Sequence, residues 1–98
     1  MTRRASYHPL AEIELNDAAL YYEGASPGLG LAFIEAVERC VSAIQEHPLA
    51  GTPLDEVVRR RLVDTFPYGI LYTVVGDGIR ILAVMNLRRR PFYWAGRG

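Results

Sequence analysis

Two stretches of the chain, YGILYTVV at 68–75 and IRILAVMNL at 79–87, leave little room for a polar side. Both are rich in β-branched and aromatic residues and read as strands. In the first, Ile70, Tyr72 and Val74 fall on one side and Leu71 and Val75 on the other. A strand that is apolar on both sides belongs to a sheet covered on both faces. The rest of the sequence must therefore supply two covers or leave one to a partner.

The residues before these strands supply one cover. Ala11, Leu15, Ala18, Tyr22 and Ala25 recur at helical spacing, with Ile13 and Leu20 on the opposite side. The segment GASPGLG at 24–30 interrupts that period. Ser26 is placed to cap a second helix and Pro27 to sit in its first turn. Phe33, Val37, Cys40 or Val41, and Ile44 then face inward, while Glu35, Glu38, Arg39 and Gln45 face out. Pro48 disfavours helical geometry at His47 and ends the helix there. A short N-terminal strand in RRASYHP and a third strand in VVRRRLVDTF at 57–66 complete the pattern. FPY at 66–68 bends the chain, and Asp77-Gly78 reads as a two-residue hairpin turn that sets Val74 opposite Ile81 and Tyr72 opposite Ala83.

The expectation is an α+β fold of order β-α-α-β-β-β: an N-terminal strand and a helical hairpin packed on a mostly antiparallel sheet. One domain over 1–98 suits this length. With 98 residues there is little chain left for the second face, so a partner protein is expected to cover it.

Half the residues are hydrophobic and 22% are charged, which fits a globular chain and not a disordered one. Formal net charge is zero, yet residues 1–50 hold three arginines against seven acidic residues, and residues 51–98 hold eight against four. The basic C-terminal half favours an anionic partner. Cys40 is the only cysteine, so no intrachain disulfide forms, and a cytoplasmic location is expected. No apolar run is long enough to span a bilayer, and MTRRASYHPL lacks the apolar core of a signal peptide. No metal-ligand spacing, phosphate loop or nucleophile triad occurs, and neither metal nor cofactor is expected.

Four segments carry a resemblance: YHPLAEIEL at 7–15, ALYYEGASPGLGLAFIEAVE at 19–38, VRRRLVDTFPYGILYTV at 58–74 and IRILAVMNLRRRPFYW at 79–94. In order and spacing they resemble the RelE/ParE toxins of bacterial type II toxin–antitoxin modules, which include plasmid stabilisation proteins. The resemblance implies the same fold and growth inhibition relieved by a cognate antitoxin. It also implies one of two targets: mRNA cleaved on the ribosome, as by RelE-like members, or DNA gyrase, as by ParE-like members.

Transferred residue by residue, the ribonuclease chemistry is incomplete. Arg60 or Arg61 could stand for a basic residue of the first meander strand, one of Arg88, Arg89 and Arg90 for the arginine ending the last strand, and Tyr93 for the terminal tyrosine. Arg61, Arg89 and Tyr93 are thus the catalytic candidates. The position just after the aromatic turn, where these ribonucleases carry an arginine, is Gly69. Arginine is a poor base, and His8 and His47 sit beside prolines at element ends. A non-enzymatic, ParE-like inhibitor is therefore favoured, with the ribonuclease and a non-toxic antitoxin binder as alternatives.

The segment RRRPFYW at 88–94 has the composition of interface hot spots. Arg60, Arg61, Arg88, Arg89, Arg90, Phe92, Tyr93 and Trp94 are the expected contacts with target or antitoxin. The competing reading is that Phe92 and Trp94 pack back on the domain while the arginines stay solvated.

Overall fold

A computed structural model describes residues 3–98; Met1 and Thr2 of the domain expected over 1–98 lie outside the described residues. The elements run β1 (Ala5–Tyr7), α1 (Pro9–Ala25), α2 (Leu29–Glu46), β2 (Thr52–Pro53), β3 (Val58–Leu62), β4 (Tyr68–Val75) and β5 (Gly78–Asn86). They form one sheet of order β1-β5-β4-β3-β2. β1 is parallel to β5 and every other pairing is antiparallel. The expected order is present, with the two-residue strand β2 added on the edge of β3.

Local chemistry accounts for the helices. Pro9 opens α1, and Nδ1 of His8 accepts the Leu10 N–H at 3.1 Å, so His8 is a helix cap. Ala11 and Ala18 are buried and Leu15 and Tyr22 half-buried, but Ala25 is exposed at the end of the helix. Ile13 and Leu20, on the opposite side, are 53% and 71% exposed. In α2 Phe33, Val37, Cys40, Val41 and Ile44 are all buried. The helix stops at Glu46, with His47 as its C-cap before Pro48.

The hairpin connection is built differently from its sequence pattern. Ser26 does not cap α2; it closes α1, its N–H donating to the Tyr22 carbonyl at 3.0 Å. Pro27 precedes α2 and lies outside its first turn. The cap comes from across the hairpin. Oε1 of Glu23 accepts the N–H groups of Gly28 and Gly30, each at 3.0 Å, and Oε2 accepts that of Gly28 at 3.0 Å. A carboxylate placed on free N–H groups at a helix start is favoured by hydrogen bonding and by the helix dipole.

The β4–β5 turn is also shifted by one residue. Val75 pairs with Gly78, so Gly76 and Asp77 form the turn, with φ of +61° at Gly76. Positive φ at the first turn position is what a tight hairpin requires, and glycine adopts it without strain. Val74 therefore faces Ile79, not Ile81. Tyr72 faces Ile81, not Ala83, and a bulge after Leu71 shifts the register by one residue, so that Leu71 faces Ala83.

The sheet has two cores. Ile70, Tyr72, Ile79, Ile81 and Val84 pack under the hairpin. Tyr22, Phe33, Phe66 and Tyr68 form an edge-to-face aromatic group that holds the 66–68 bend against both helices. On the other face Val58, Leu71, Leu82, Ala83 and Met85 pack with Trp94. The expectation that a partner must cover this face is corrected here. Residues 87–98 fold back over it, and Trp94 is only 5% exposed.

Replacing Glu23 with Ala removes three hydrogen bonds from the start of α2. The expected loss is about 1–2 kcal/mol, read as a lower urea midpoint with an unchanged slope.

Candidate functional site

The residues singled out from the sequence divide between the two faces. β3 alternates, so Arg59 and Arg61 point to the hairpin side and Arg60 to the other. Arg59 is taken up in structure, donating to the carbonyls of Leu49 and Gly51 at 3.0 and 2.8 Å. Arg61 lies beside Cys40, far from the C-terminal segment. Arg60 alone of the three shares a face with Trp94.

Burial pushes the Cys40 thiol up to about 11, against the opposing pull of the Arg61 guanidinium. The thiol is buried and near the Arg61 and Leu62 carbonyls, an environment that keeps it protonated and inert.

The C-terminal segment leaves β5 through an Asn86 turn. Asn86 accepts the Arg88 N–H on its side chain at 2.9 Å and the Arg89 N–H on its carbonyl at 2.9 Å. Arg88, Arg89 and Arg90 are exposed. Phe92 is 58% exposed, at φ +60°, with its ring 5.6 Å from that of Trp94. Tyr93 and Arg97 turn back to α1. Tyr93 donates to Oε2 of Glu14 at 2.7 Å. Arg97 holds both oxygens of the same carboxylate, at 2.9 and 3.2 Å, and donates to the Leu82 carbonyl at 3.0 Å. Oε1 of Glu14 also accepts the Val84 N–H at 3.1 Å. β1 pairs with β5 only as far as Ile81, so Glu14 serves the strand where its neighbour has ended. The Arg89 guanidinium lies 4.1 Å over the Tyr93 ring and that of Arg97 5.0 Å from it.

This network decides the state of Tyr93. Burial, and then the bond to the Glu14 carboxylate, raise its phenol well above the usual tyrosine value, while Arg97 and Arg89 oppose the shift. The ring is a neutral brace. Glu14 and Arg97, the key members of the brace, were not singled out by sequence reasoning, because 83 positions separate them.

Gly69, the position where an arginine was expected for a ribonuclease, faces the same side as Arg60. A Cβ there would lie 3.1 Å from both Cγ and Cδ of Arg60. The Arg60 stem thus crosses the space that glycine leaves open.

The family model for the ParE toxin of the type II toxin–antitoxin system parDE matches residues 5–91. The chain belongs to the ParE toxin family. A solved chain of the chromosomal ParDE TA system from P. aeruginosa superposes with a TM-score of 0.75 at 18% identity, covering 87% of this chain and 96% of that one. At that identity the likeness is one of fold. No curated protein sequence matches.

The ParE fold here places exposed Arg88, Arg89, Arg90 and Phe92 on one short segment, and binds that segment through Tyr93, Trp94 and Arg97. Among the described residues no three metal-ligating side chains cluster, and no helix is long and apolar enough to cross a membrane.

Two outcomes follow. Glu14→Ala should cost about 2–4 kcal/mol, because it strands the Arg97 charge and the Tyr93 hydroxyl in partly buried positions. A double-mutant cycle with Arg97→Met should show coupling of at least about 1 kcal/mol. In alkali, the raised value of Tyr93 means that its neutral form stabilises fully below about pH 10 and that this contribution is lost as pH rises through the folded value. Burial raises Tyr7, Tyr22 and Tyr72 as well, so phenolate absorbance should show several late-titrating tyrosines, of which Tyr93→Phe removes the last.

Proposed function

We propose that this ParE-family toxin arrests growth by inhibiting DNA gyrase through a protein–protein contact, and that a cognate antitoxin neutralises it in the cytoplasm. Membership of the ParE family supports the choice of target. The observation that carries the non-enzymatic reading is the engagement of Tyr93. A terminal tyrosine serving proton transfer at a ribose 2′-OH needs a hydroxyl free to reach the reacting atoms. Here that hydroxyl is spent on Glu14, and Arg97 fills the same carboxylate. Arg61, a second candidate for that chemistry, lies across the sheet beside Cys40. What is left accessible is a recognition surface: Arg88, Arg89, Arg90 and Phe92 on a segment anchored by buried Trp94. Exposed aromatic and arginine side chains on a firm base are what interface hot spots are made of.

The test uses purified chain and purified gyrase. Supercoiling should fall and cleaved DNA accumulate as the chain is titrated in, and Phe92→Ala with Arg89→Ala should weaken both effects at temperatures where the urea midpoint shows the variant still folded. Primer extension on mRNA after induction should show no ribosome-phased cuts. Such cuts, with gyrase unaffected, would replace this reading with the ribonuclease.

A further inference from the structure

Between α1 and the end of the sheet lies a cleft of about 230 Å³ that neither core fills. Glu14, Asp17 and Tyr21 reach it from one stripe of α1, at spacings of 3 and 4. Tyr68 and Asn86 reach it from the paired ends of β4 and β5. Arg89 and Tyr93 complete it from the C-terminal segment.

Glu14 and Tyr93 spend their polar atoms on each other and on Arg97 and Val84. The other polar groups are unspent. Asp17 and Arg89 bring opposite charges to one small cleft, yet the only ion pair among the described residues is Glu14–Arg97. The Arg89 guanidinium is held all the same, 4.1 Å over the Tyr93 ring. That ring borders this cleft and not the apolar pocket beside Trp94, so the guanidinium lies on this side of the segment. Stacking occupies the flat face of the group and leaves its in-plane N–H donors available. Asn86 is fixed in a comparable way. Its Oδ1 accepts the Arg88 N–H at 2.9 Å, which leaves the NH2 end as a free donor.

These groups define a ligand. The unpaired charges on the cleft sum to zero, so a molecule with one charge of each sign matches it. A nucleotide would bring its phosphate up to the carboxylates of Asp17 and Glu14, and like charges so placed are costly. The volume is below the roughly 300–1,000 Å³ of sites for drug-sized molecules, so the ligand is small. Ala18 and Val84, with the tyrosines, give the remaining wall an apolar character.

We propose that this cleft binds a free α-amino acid with an apolar side chain: its ammonium meets Asp17, its carboxylate takes the donors of Arg89 and Asn86, and its side chain lies among Tyr21, Tyr68 and Val84. Arg89 is also one of the displayed arginines, so the bound amino acid would occupy a side chain that the proposed contact with gyrase uses. The binding itself does not depend on that contact.

The test titrates the free chain with phenylalanine, N-acetylphenylalanine, phenylalaninamide and AMP, following the Asn86 side-chain NH2 and Arg89 Nε–H resonances. Phenylalanine should move both, with a Kd on the order of 1 mM because the two charges are exposed. The Trp94 indole N–H, on the other face, should stay in place. Each capped form lacks one charge and should bind roughly fivefold more weakly. Asp17→Asn should narrow the gap between phenylalanine and N-acetylphenylalanine and leave that with phenylalaninamide. Arg89→Met should do the reverse. Both side chains are exposed, so the fold is expected to survive either change. Silence from phenylalanine, tighter binding of AMP, or gaps that neither variant moves would overturn the site. Equal binding of phenylalanine and one capped form would overturn the free amino acid in favour of a peptide end, the C-terminal residue if N-acetylphenylalanine is the equal and the N-terminal residue if phenylalaninamide is.

Discussion

The carboxylate of Glu14 is the point on which the second face of the sheet depends. It accepts four hydrogen bonds, from Val84, Tyr93 and both terminal nitrogens of Arg97. Withdrawing a carboxylate and a guanidinium from water costs several kcal/mol each, and the cost is offset only when geometry and hydrogen bonding are close to complete. Here they are: the pair is bidentate, and the remaining lone pairs are filled by a strand N–H and a phenol. The result ties α1, β5 and the C-terminal segment together at one atom group. Trp94 lies between the two side chains so anchored, and its burial closes a core that would otherwise face water.

Closing that core also fixes what is displayed. With Tyr93 and Arg97 turned to Glu14 and Trp94 to the sheet, Phe92 and the three arginines at 88–90 are left exposed. In the proposed function, stability and recognition are coupled in one short segment. A change at Glu14 disturbs the presented side chains although Glu14 itself need touch no partner, whereas a change at Arg90 alters presentation with little effect on the core.

Much of the architecture was legible from local pattern. The helices follow the 3.6-residue period, Pro9 and Pro48 mark element boundaries, and the strands follow from their β-branched and aromatic content. The failures share one cause, which is competition between local signals and distant groups. Ser26 is a good cap residue, but the Glu23 carboxylate reaches the same N–H groups from the preceding helix. Asp77-Gly78 is a good turn, but Gly76-Asp77 is another, and the bulge after Leu71 lets the sheet accept it. Two-sided apolarity correctly demanded a second cover, and the tail that provides it was read mainly as a surface. Of the candidate site, the exposure of Arg88, Arg89 and Arg90 was legible, and so was the packing of Trp94 in the reading that folds the tail back. The separation of Arg60 from Arg61 follows from strand alternation alone. The brace did not, since nothing in one sequence connects Glu14 with Arg97.

Gly69 gives the loss of a charged position a physical meaning. A side chain at the start of β4 would crowd the stem of Arg60, which passes 3.1 Å from where its Cβ would stand and would have to give by a few tenths of an ångström. With glycine there, the stem of Arg60 crosses from β3, and its Nε is sealed from solvent. A guanidinium approached end-on suits the bidentate grip on a phosphate. The glycine that leaves the start of β4 without a cation thus makes room for the stem of one from β3.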